Sequence, residues 1–135
     1  MFKIDIHTHI LPGNLNKLTK TFSDPRFLQL DKLDEQNAIL KKDQQSFRKV
    51  GCNCWHAPER IKDCNKTDVD MQVLSTIPVL FSYWADDAEC LKLSQFLNDH
   101  ISHIVQENPE YFLGLGTIPM QNTDLAIEEM DRCVN

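Results

Sequence analysis

His7 and His9, separated by a single residue near the start of the chain, are the side chains best placed for chemistry. In an extended strand, residues i and i+2 share a face, so the two imidazoles point the same way and reach one ion. Imidazole is a preferred ligand of zinc and similar divalent cations, and such a pair supplies two of the three protein ligands a catalytic site usually uses. The plainer alternative is two unrelated polar residues at a strand end, because His-x-His also arises by chance. His100 and His103 lie three apart on a predicted helix. No carboxylate or thiol is arranged around them, so they read as a polar helix edge, and His56 reads as a surface histidine. Cys52-x-Cys54 has one intervening residue where structural zinc knuckles have ~2–4, which favours packing thiols.

The elements that must position these groups follow from periodicity. Phe2, Ile4 and Ile6 precede the histidines and Pro12-Gly13 follows, which predicts a buried strand with the pair at its C-terminal tip. That tip is where parallel-strand enzymes place their chemistry. Residues 13–57 are rich in Asn, Lys, Asp and Gln and hold Pro25, so no clean crossover helix is expected. Their short runs Phe27–Leu30, Ala38–Leu40 and Ser46–Val50 predict a small antiparallel sheet inserted over the strand tip, a lid.

Beyond the insertion, Ala57–Asp63 predicts a helix with Pro58 in its first turn. Val69–Ser75 predicts a second strand. Val79–Trp84 is an aromatic loop past its tip, lining a cavity or packing under the lid. Asp86 or Asp87 caps a long helix reaching about Glu107, with Leu93, Phe96, Leu97, Ile101 and Ile104 at helical spacing. Phe112–Gly116 forms a third strand. Asn122 or Thr123 caps a helix over Asp124–Cys133 that carries the acidic Glu128 and Glu129, with Ala126, Ile127 and Met130 turned to the core. Strands alternating with helices imply a parallel sheet.

Four stretches carry a family resemblance: Lys3–Pro12, Asn53-Cys54-Trp55, Leu74–Ala85 and Gly114–Gln121. They resemble the amidohydrolase-type, metal-dependent TIM barrels, and more closely their zinc-dependent decarboxylases acting on a tryptophan-derived dicarboxylate. The resemblance implies an α/β fold, an amidohydrolase-like TIM barrel with only the first three or so βα units present and a small β-rich insertion after strand 1. Residues 1–135 would form a single partial barrel domain with 13–57 as the lid. It further implies that His7 and His9 bind Zn2+, and that the protein is a carbon-carbon lyase working without oxidation and forming homodimers when full length. Phe47-Arg48 matches a lid position where an arginine binds a substrate carboxylate, a task the planar guanidinium fork suits. Taken alone, Arg48 beside Lys49 reads as a solvated hairpin face.

The chain has 135 residues, 41% hydrophobic and 25% charged, enough for one ordinary globular domain. A complete TIM barrel takes ~250, so part of a barrel is expected. In the family the remaining metal ligands and the acid/base histidine come from later strands, which leaves two other readings open: a non-catalytic dimerisation partner, and a zinc-dependent hydrolase on the same barrel. Net charge is −6 with no basic run, which argues against nucleic-acid and anionic-membrane partners. A dicarboxylate substrate must then be drawn by local positive groups. Five cysteines, an odd number at low density, suggest free thiols in the cytosol.

Overall fold

Two three-stranded sheets organise the chain in a computed structural model that describes residues 1–135. The first is parallel, in the order β1-β5-β6, from β1 (Ile4–His9), β5 (Met71–Ser75) and β6 (Phe112–Gly114). Helices follow its strands: α2 (Ala57–Thr67) precedes β5, α3 (Asp87–Glu107) joins β5 to β6, and α4 (Thr123–Val134) follows β6. This is the alternating pattern the sequence implies. The second sheet is antiparallel and built entirely from the insertion, β2 (Gln29–Lys32), β3 (Asn37–Lys42) and β4 (Gln45–Gly51), after a short α1 (Asn16–Thr19) that the sequence reading did not anticipate.

Local chemistry accounts for the element ends. Asp43 and Gln44 have φ of 53° and 61°, the left-handed pair that a two-residue hairpin turn requires to match strand twist. Asp86 caps α3 by accepting from the amides of Ala88 and Glu89, and Asn122 caps α4 by accepting from Leu125. Pro58 sits at the start of α2, where its missing N–H costs nothing.

The helices cover one face of the parallel sheet. Ile10, Leu74 and Phe112 pack there against Ile101 and Ile104 of α3. A Cβ at Gly114 would stand 2.7 Å from Ile101 Cγ2, so the bare strand lets the helix seat closely. A second core joins the insertion to the strand tips through Leu11, Phe27, Leu30, Leu40, Trp55 and Leu80.

The expected burial fails at three places. The first strand was expected buried, yet Ile4 is 47% and Ile6 76% exposed, because β1 is a sheet edge with helices on one side only. On α4, Ile127 and Met130 face outward and Glu129 is fully buried instead. Both stripes have helical spacing, and α4 docks on α3 through the one whose carboxylate is satisfied: Glu129 accepts from Asn98 at 2.6 Å and from Arg132 at 2.7 and 2.8 Å. His100, expected on a polar helix edge, is half-buried, and its Nε2 is enclosed without a partner. No helix is long and apolar enough to cross a membrane.

Candidate active site at the strand tips

Register explains how the two histidines meet. Asp5 pairs with Gln72 and Thr8 with Leu74, so Ile6 and His7 together oppose Val73 alone. This β-bulge includes the first histidine of the pair and re-aims the strand there. The rings of His7 and His9 then lie 5.0 Å apart between centroids, at 79°. His7 is exposed and His9 half-buried.

A neighbour the sequence reading missed sets the state of His9. Ser75 Oγ donates to the Thr8 carbonyl at 2.9 Å and lies 3.0 Å from His9 Nδ1. With its hydrogen spent on Thr8, the hydroxyl accepts from Nδ1–H, which leaves the Nε2 lone pair free for a ligand. Ser75 pairs with His9 across the sheet, and its position as the last residue of the second strand was the only available signal.

Arg48 reaches the same region from the insertion. It pairs with Leu40 on β3, two residues from the Ala38–Val50 pair, so it shares the sheet face on which Ala38 and Leu40 are buried. Arg48 and its neighbour Lys49, which lies opposite Ile39, are both exposed side chains of this hairpin. His9 and Arg48 line one cleft of about 650 Å³, with Leu11, Phe47, Ile77 and Val79 among its apolar walls. Arg48 and Lys49 carry the only formal charges on its lining, and no carboxylate joins them. A chain of net charge −6 thus keeps a locally positive cleft beside its histidine pair.

No aromatic side chain of the Val79–Trp84 loop lines the cleft. Val79 lines the cleft, whereas Leu80 is 1% exposed in the core below the insertion, and Trp84 packs on Phe27 at 4.9 Å. His56 is exposed. Cys52 Sγ is bound to Gln36 Oε1 at 3.0 Å, away from Cys54, which lines the cleft. On α3, burial first and His103 second push His100 below the usual histidine range, against a raising contact from the Leu11 backbone. His103 faces Glu107 at 3.4 Å.

As a donor set, the His7–His9 pair fits a divalent cation as two of its ligands, with the Ser75 bond orienting one ring. No third His, Cys, Asp or Glu completes a cluster among the chain's residues.

No family model matches the chain. It is 46% identical over 132 residues to 2-amino-3-carboxymuconate-6-semialdehyde decarboxylase of Dictyostelium discoideum, which covers 98% of this chain and 37% of that protein. Against the protein of the same name from Caenorhabditis elegans it is 39% identical over 126 residues, 93% of this chain and 31% of the relative. The chain thus spans about a third of the length of these curated relatives. Among solved structures, it superposes on a dihydroxybenzoic acid decarboxylase from Polaromonas sp. JS666, with bound manganese and the inhibitor 2-nitroresorcinol, at a TM-score of 0.66 and 19% identity, covering 98% of this chain and 35% of that one.

Proposed function

Because this chain belongs to the 2-amino-3-carboxymuconate-6-semialdehyde decarboxylase family of amidohydrolase-like barrels, we propose that a protein of its relatives' length carrying it removes carbon dioxide from that substrate. The step is non-oxidative and withdraws material from the route to quinolinate in tryptophan breakdown. The observation that carries this reading is the cleft in which His9, its ring beside that of His7 at the strand tips, shares a lining with the Arg48 guanidinium and with no carboxylate.

His7 and His9 would hold a divalent cation, assigned as Zn2+ because the family resemblance implies it, and imidazole donors suit zinc among other divalent metals. Such a cation supplies Lewis acidity toward substrate oxygens. Arg48 clamps a substrate carboxylate through paired, charge-assisted hydrogen bonds, and Lys49 adds positive potential at the cleft wall. The apolar walls limit water around the departing carboxylate. Further ligands and the proton-transfer group are assigned to the two-thirds of the relatives' length that this chain does not span, with residues 13–57 serving as the lid. Five free cysteines agree with work in the cytosol, and a homodimer is the proposed assembly.

The test is steady-state decarboxylation by the full-length protein, with metal content determined on the same samples. Arg48→Ala is expected to lower kcat/KM tenfold or more, since losing a charge-assisted pair costs ~1.5–3 kcal/mol, and to leave the metal in place. Arg48→Lys restores only part, because a point charge cannot reproduce the fork. Full activity in Arg48→Ala returns this residue to the surface, and absence of turnover in the metal-loaded native protein ends the decarboxylase reading.

A further inference from the structure

Arg60 lies on α2, outside the cleft, and is only 9% exposed. Its guanidinium binds three neutral acceptors from three elements. Nη2 donates to the His9 carbonyl at 2.5 Å, Nε to the Asn53 carbonyl at 3.1 Å and Nη1 to Gln72 Oε1 at 3.1 Å. None of the chain's ion pairs includes Arg60. Burying a cation without a paired anion is costly, and a core of apolar side chains would be the cheaper way to hold a helix on a sheet. What the arginine provides instead is placement. The insertion leaves the barrel just after His9 and returns through the turn Cys52–Cys54, so the guanidinium holds His9 to the returning stem, and the Leu11 amide closes the two stems by donating to the Cys54 carbonyl at 3.0 Å.

We propose that Arg60 is a positioning residue: one buried guanidinium locks the His9 backbone to the returning stem of the insertion and to β5, so that the histidine pair and the Arg48 wall of the cleft are held in a common frame. The inference rests on the reading of His7 and His9 as metal ligands. It requires metal affinity and substrate affinity to fall together when the clamp is loosened, whereas Arg48→Ala separates them. An ordinary tether of α2 affects stability alone.

In the full-length protein, Arg60→Lys keeps the charge and cannot span three acceptors. The zinc dissociation constant, read by competition with a chromophoric chelator, is expected to rise 10–100-fold, the usual effect of removing a group that orients a ligand. KM rises with it, while kcat at saturating zinc and substrate stays within about threefold. Gln72→Glu is the second variant: it offers the guanidinium a carboxylate, draws it from the His9 carbonyl, and weakens zinc binding without lowering the melting temperature. Native zinc affinity and KM in a folded Arg60→Lys, or native zinc affinity in Gln72→Glu, overturn the proposal. His7→Ala and His9→Ala run beside them. If these lose zinc while both clamp variants keep it, the clamp alone fails; if they keep zinc, the metal reading fails and takes the clamp with it.

Discussion

The hydrogen-bond chain from the Thr8 carbonyl through Ser75 Oγ to His9 Nδ1 orients an imidazole with a hydroxyl that the neighbouring strand supplies. Removing the hydroxyl leaves both histidines in place but frees the His9 ring to rotate and to change tautomer. Ser75→Ala in the full-length protein is therefore expected to weaken zinc binding about tenfold, the low end for a group behind a ligand. His7→Ala or His9→Ala is expected to abolish binding, since no neighbour replaces the lost donor. Chelator competition on all three variants checks the order. Equal affinity in Ser75→Ala and the native protein would assign the hydroxyl to the strand backbone alone.

Between elements, α4 is latched to α3 through Glu129. Burial raises its carboxyl pKa, but the Arg132 fork, the Asn98 amide and the Cys133 thiol outweigh burial and hold it below the usual value of 4.5. A depressed native value means that the latch contributes fully above that ordinary value and is lost as pH falls through the native one. Hydrogen exchange of the α4 amides, after correction for intrinsic rates, is expected to be constant from neutral pH down to that ordinary value and to accelerate progressively as pH falls below it. Glu129→Ala unlatches the helix at neutral pH, leaves Asn98 Nδ2 and Arg132 short of an acceptor, and costs about 2–4 kcal/mol. If α4 kept native protection in Glu129→Ala, apolar packing would be its true attachment. Asn98 extends the latch: it exchanges two 2.8 Å hydrogen bonds with the backbone of Thr117 and so ties the loop after β6 to α3.

Over the whole molecule, the parallel sheet has helices on one face, while the other presents Ile4, Leu113 and Leu115 at 47%, 47% and 54% exposure. Parallel sheets are normally covered on both faces, and exposed apolar edges recruit other chains. The 135 residues made alone are expected to bind a hydrophobic dye and to self-associate, and the double substitution Leu113→Lys, Leu115→Lys to reduce both. Zinc affinity of the same material is expected to be weak, because water fills the rest of a two-imidazole shell. Nanomolar, stoichiometric zinc in a monomer that binds no dye would contradict this account at both points.

Adjacent residues were enough for the sequence to specify the strand that carries the histidines, the hairpin of the insertion, the two-residue windows Asp86–Asp87 and Asn122–Thr123 that hold the helix caps, and the two-period and 3.6-period runs between them, because strand alternation, turn chemistry and helix capping act over a few positions. Even the histidine pair was legible, as a spacing. Which stripe of α4 turns inward was not, because Ile127 and Met130 satisfy the same periodicity as Ala126 and Glu129, and only the partners Asn98 and Arg132 make a buried carboxylate cheaper than buried methionine. The bulge at Ile6–His7 depends on the register with β5, more than sixty residues away in the chain. The same holds for the Ser75 contact at 66 residues' separation and the Arg60 clamp at 51. Such contacts join groups with no local preference for one another, and the closing of the sheet brings them within hydrogen-bond range; they are decided by tertiary structure.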